Sequence, residues 1–221
     1  MARHPSSRLA RDDVLVEVAA AAARLIAEHG CDYATARRRA VAEVFGHGDA
    51  RSAAPDNALI ESELRRYLRL FDGERHDRRL HALRALALAE MRRLAEFNPH
   101  LVGAVLNGSA TEHSDVRLHL FTDSEKDVEM FLLNAGIDFV TSEGERTPGG
   151  AYEQLSYLVI VDDGSGKRRV GVVLSIHATD AIRVAPRARG TDPDLDPVEA
   201  SGRASLAQVE AWLAGKREAA P

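Results

Sequence analysis

Cysteine is nearly absent, since Cys31 is the only one in 221 residues. A single thiol forms neither an intramolecular disulfide nor a cysteine cage for a metal, which suits a reducing cytoplasm. Such a lone cysteine ordinarily packs as a small, half-buried thiol. Lysine is scarce as well, three against 26 arginines. With the many alanines, that skew points to a GC-rich coding genome, not to a function. No apolar run approaches the ~20 residues that span a bilayer. The longest, Val14 to Ala27, is interrupted by Glu17 and Arg24. The basic stretch Met1 to Asp13 leads into no uninterrupted apolar core, so neither a secretory signal nor a membrane span is expected. The nine histidines show no zinc-type spacing.

What is present is a globular composition, 45% hydrophobic and 29% charged. The net charge of −5 is uneven: residues 1–100 carry +2 and residues 101–221 carry −7. An acidic second half is poorly suited to tracking phosphates along nucleic acid, so that class of partner is disfavoured.

The first hundred residues read as helices. Val14, Leu15, Val18, Ala22, Leu25 and Ile26 fall on one helical stripe that ends at Gly30. A second helix is expected from Tyr33 to Phe45, with Val41, Val44 and Phe45 inward and Arg37-Arg38-Arg39 outward, a triplet that forms a solvated face or holds an anion. After a polar connector, Gly46 to Pro55, Asp56 or Asn57 caps a third helix whose stripe runs from Leu59 to Phe71. A fourth spans about Arg75 to Phe97 and stops at Asn98-Pro99, because a residue preceding proline avoids the helical region.

From Leu101 the period changes. Leu101 to Leu106 reads as a short apolar strand that runs into Asn107-Gly108-Ser109, and Asp115 to Phe121 alternates as a second strand. A helix opened by Thr122 or Ser124 and closed by Gly136 follows, then a strand over Ile137 to Thr141 and a glycine-rich loop over Ser142 to Ala151. The β-branched runs Leu155–Val161 and Val170–Ile176 flank Asp162 to Lys167 as a hairpin. Gly164-Ser-Gly-Lys167 lacks the first glycine and the Ser/Thr of a P-loop and precedes a strand, so it is a hairpin tip. An irregular stretch, Ala185 to Pro197, precedes a last helix opened by the capping pattern Ser205-x-x-Gln208, with Trp212 as a core anchor.

The candidate chemistry lies between Asn107 and Leu120. Gly108-Ser109 suits phosphate, because glycine admits close backbone approach and the amides and hydroxyl hold phosphate oxygens. Asp115 opens the next strand, and alternation puts Asp115, Arg117 and His119 on one face. Glu112 and His113 beside the turn can serve as acid and base or simply as turn polarity, and His177 ends a strand.

Gly108, Ser109, Ser114, Asp115, Val116 and Leu118 resemble the signature of the polymerase-β-like nucleotidyltransferases: Gly-Ser, a spacer, Ser-Asp-hydrophobic-acid-hydrophobic, and a third acid on a later strand. Ala110 to Asp115, Leu118 to Phe121, Arg203 to Glu210 and the long helical front are similar to a proteobacterial nucleotidyltransferase-like family. Its members are often labelled UDP-N-acetylmuramate–alanine ligases, although the glycine-rich ATP loop of that ligase is missing here. The resemblance implies an α+β fold with a helical region over 1–73 and a nucleotidyltransferase-like domain over 74–221. It also implies Asp115 as the catalytic acid, Mg²⁺ as cofactor and a nucleotide as ligand. The second acid of the pattern falls on Arg117 and the third on Gly171. A cation beside Asp115 opposes a dication there by about 4 kcal/mol per charge at ~4 Å. The expected function is therefore binding of a nucleotide or other anion at Gly108, Ser109 and Arg117. At most a single ion is expected, on Asp115 and His119, unless Glu145, Glu153 or Asp162 completes the site. An active nucleotidyltransferase and a protein-interaction module acting through the helical half are the alternatives.

Overall fold

The computed structural model describes residues 5–46, 54–144, 153–164, 166–184 and 195–218. The fold is α+β, with eight α-helices and a six-stranded mixed sheet among the described residues. The chain divides into two compact units: residues 1–76 with 111–113, and residues 77–110 with 114–221. No helix among the described residues is long and apolar enough to cross a membrane.

In the first unit, α1 (Pro5–His29), α2 (Tyr33–Phe45) and α3 (Asn57–Phe71) share a core of mostly small side chains. Ala19, Ala22 and Ala23 of α1 are sealed with Ala36 and Ala40 of α2 and Ile60 and Leu64 of α3. Asp32 and Asp56 cap α2 and α3 by accepting from the Thr35 and Leu59 amides at 2.9 Å, one orphan donor satisfied in each. Phe45 is more than a third exposed and Phe71 is 70% exposed, so neither faces inward as its stripe suggests. Both sit at the last turn of their helices, where no neighbouring turn remains to cover them. Thr111–His113 belongs to this unit, and the His113 ring lies against Gly30.

In the second unit the strand order is β3-β4-β5-β2-β1-β6. The strands are β1 (His100–Val102), β2 (Val116–Phe121), β3 (Val140–Glu143), β4 (Glu153–Asp162), β5 (Lys167–His177) and β6 (Arg203–Ser205). Only β2 and β5 pair in parallel; the other four pairings are antiparallel. One face is the core: Leu101, Val116, Leu118, Leu120, Leu155, Val172 and Leu174 bury against Leu83, Ala87 and Met91 of α4 (Gly73–Arg93) and Leu94 just after it. Val105 and Leu106 of α5 (Gly103–Asn107), Val128 and Leu132 of α6 (Glu125–Asn134) and Val209 of α8 (Leu206–Glu218) complete it. The remaining helix, α7 (Pro197–Ala200), is capped by Asp196 in a capping box with Glu199. Glu90 of α4 is 1% exposed and accepts a 2.7 Å hydrogen bond from the Tyr157 hydroxyl, and burial raises the Tyr157 pKa.

The expected strand over Leu101 to Leu106 is not formed as such. It stops at Val102, and Gly103, at φ 74°, turns the chain into α5. A short continuous apolar run serves a buried helix as well as a buried strand, since both faces are covered in either case. The strand expected over Ile137 to Thr141 begins later, at Val140, because Ile137 still donates back to Leu132 at the end of α6. Helix α4 ends at Arg93 and a 3-10 turn, Ala95–Phe97, follows. The hairpin, the Ser124 cap and the Ser205–Gln208 box form as read. Glu145, most of the loops 46–55 and 142–151, and 185–194 lie outside the described residues.

Candidate functional site

The turn after α5 is held from inside. Gly108 adopts the left-handed conformation at the end of the helix. The Ser109 amide (3.0 Å) and hydroxyl (2.7 Å) both donate to Asn107 Oδ1. Asn107 and Ser109 are each 1% exposed. Both Ser109 donors expected to hold a phosphate therefore serve the fold, in an Asx-type turn. The turn is braced from below by Arg84 of α4, whose Nε and Nη2 donate to the carbonyls of Val105 (3.1 Å) and Leu106 (3.2 Å). Arg84 also pairs with Glu199 at 2.7 Å and lies over Trp212 at 4.3 Å. Arg84 stands four residues after Leu80 and three before Ala87, at the edge of the apolar stripe of α4. What the stripe does not show is its partners, of which Glu199 and Trp212 come from the far end of the chain.

On β2 the alternation is as expected. Val116, Leu118 and Leu120 enter the core, while Arg117 is exposed and His119 half-buried on the opposite face. The structure does not bring Asp115 and His119 together. Four residues of extended chain separate them, about 13 Å, too far for one ion.

Gly171 of β5 is the position of the expected third acid. Val116 pairs with Val172, which sets Gly171 beside Asp115 across the parallel pair. The Asp115 carboxylate lies directly on the Gly171 Cα. A Cβ at Gly171 would fall 2.8 Å from Asp115 Cγ and still closer to Oδ1. The space a second carboxylate would occupy is thus taken by the first one, and the residues present do not fit a two-metal centre. Neither Glu153 nor Asp162 supplies the missing acid. Leu158 is the β4 residue opposite Gly171, and Asp162 and Glu153 lie four and five residues from it, roughly 13 and 17 Å along the strand. Glu153 instead faces Glu125 and Glu129, and burial followed by the Glu125 contact pushes its carboxyl up to about 7. No group of three His, Cys, Asp or Glu side chains able to hold a metal occurs among the described residues.

Gly171→Ala is expected to cost about 1–2 kcal/mol through this clash. Asp115→Ala in the same chain should remove most of that cost, because the backbone of Gly171 needs no positive φ. Urea unfolding of the single and double variants measures the coupling.

His119 has neighbours that single-strand reasoning did not reveal. Its ring centroid lies 4.5 Å from that of His177 and 6.4 Å from that of Phe121. His100 packs edge-on to Phe121 at 5.1 Å, and the Arg203 guanidinium sits 5.0 Å from the same ring. Burial, then His177, Arg203, His100 and Arg117 in that order, push the His119 pKa down to about 3. Burial also lowers His100 and His177. His100 and Arg203 carried no signal of this role, because their strands are three residues long and show no alternation.

No ion pair joins Arg117 to an acid among the described residues, and its side chain would lie 3.7 Å from a Cβ at Gly103. Compared with known proteins, the chain matches no family model and no curated protein.

Proposed function

We propose that this chain is a nucleotidyltransferase-like protein that binds an anionic ligand, a nucleotide first of all, through Arg117, and does not carry out two-metal transfer. The observation that carries this reading is the Asp115 carboxylate seated on Gly171. It leaves one acid where nucleotidyl transfer needs two or three to hold its ions. Arg117, two residues on along the same face, supplies a fixed positive charge in place of a metal and can meet a phosphate with paired N–H donors. In this reading Gly108-Ser109 is scaffold, since the Ser109 donors are spent on Asn107.

Calorimetry with ATP, GTP and CTP, with and without Mg²⁺, tests it. At least one nucleotide is expected to bind in EDTA, and Arg117→Met should weaken it by about tenfold or more, the worth of a charge-assisted contact. No binding at all, or binding that strictly needs Mg²⁺, defeats the reading.

A further inference from the structure

We propose that His119, His177 and Arg203 form a site for a tetrahedral oxyanion, a sulfate or phosphate group, at the carboxyl end of β2 and β5. His119 lies two residues along β2 from Arg117, on the same face, but the site and its test do not rest on Arg117's nucleotide contact. Phe121 and His177 are register partners on the parallel pair β2–β5, and His119 pairs with His100 across β1. Four basic side chains, His100, His119, His177 and Arg203, therefore gather around the Phe121 ring.

Three features distinguish this cluster from ordinary packing. First, no described carboxylate forms an ion pair with Arg203, His100 or His119. Of the acids within four residues of the four basic side chains, Glu96, Asp123 and Asp180 are exposed, Asp115 lies against Gly171, Glu199 pairs with Arg84, and Asp123 accepts from the Thr179 amide. Second, Arg203 spends one N–H on the Ile182 carbonyl at 2.6 Å and places its guanidinium against Phe121. A guanidinium has five donors, and no described residue takes the other four. Third, His119 makes no hydrogen bond to a described residue; its contacts are ring against ring. The Nδ1 of His100 lies 3.0 Å from the Asn98 carbonyl, which fixes the proton on Nδ1.

A cation is a poor occupant, because Arg203 and Arg117 both bear on His119 and like charges repel. An oxyanion offsets that same positive field. It accepts from Arg203 and favours a proton on the neighbouring imidazoles, so binding should take up protons.

Sulfate is the right probe, since its charge does not change between pH 6 and 8. Histidine ring NMR of the full chain, titrated with sulfate against chloride at matched ionic strength, reads the site directly. The His119 and His177 resonances should shift. Because His119 is pushed down to about 3, any proton taken up goes to His177 or His100, and affinity should be up to about tenfold tighter at pH 6 than at pH 8. Arg203→Met should abolish the shifts and Arg203→Lys should retain part of them, so a general loss of folding cannot imitate the result. Competition by orthophosphate alone identifies a free oxyanion, and competition by AMP as well identifies a phosphate carried on a nucleotide; both agree with the site. Shifts absent in wild type, equal at both pH values, or unchanged in Arg203→Met overturn it. Because the readout is sulfate, failure of the nucleotide reading leaves this test intact.

Discussion

Arg84→Met is expected to destabilise the second unit by about 3–5 kcal/mol, the usual cost of removing one partner of a buried ion pair. Arg84 is 6% exposed, and burial lowers its pKa, opposed by Glu199. Its guanidinium satisfies two carbonyls of α5 and the Glu199 carboxylate while stacking on Trp212. Methionine fills much of the volume but donates nothing. The Val105 and Leu106 carbonyls and Glu199 then stay desolvated without that partner. Trp212 is the only tryptophan and lies in this unit, so its fluorescence in urea follows the right transition. Replacing Glu199 by leucine as well should recover part of the loss, because the stranded carboxylate is then gone. Equal losses in the single and double variants would show that the carbonyl contacts dominate the pair.

The second large effect is a pH dependence. His119 titrates near 3 when folded and near 6.5 when unfolded. As pH falls below 6.5 the unfolded chain takes up the proton first, so stability falls by about 1.4 kcal/mol per pH unit, or roughly 3 kcal/mol by pH 4. Above 6.5 both states are neutral and the contribution vanishes. His100 and His177, also lowered, act in the same direction. Glu153 acts oppositely: its raised carboxyl lets the folded state bind the extra proton between about 4.5 and 7. The clean measurement is therefore the difference between wild type and His119→Gln, in which Glu153 cancels. That difference should grow steadily from pH 6.5 to pH 4. A flat difference would mean that the folded protein accommodates a protonated His119.

Helices α2 and α3 were legible because their stripes have no competing period, and their Asp caps stand where the pattern begins. Strand β2 was legible for the same reason: a period of two assigns Val116, Leu118 and Leu120 to one face and Arg117 and His119 to the other whatever the partner strand. The mismatch at Arg117 and Gly171 could also be read from residue types alone. Local pattern reaches only a few residues, and it misjudged Leu101 to Leu106 because a continuous apolar run has no period to read. What lay beyond its reach were the contacts made across long separations. Parallel pairing decided that Asp115 sits on Gly171, 56 residues away. Closure of the fold by Glu199 and Trp212 decided that Arg84, one arginine among many, is buried. The convergence of β1, β2, β5 and β6 decided that His119 meets histidines and an arginine and not Asp115. Burial and charge depend on what surrounds a side chain in space, and for these residues those surroundings come from distant parts of the chain.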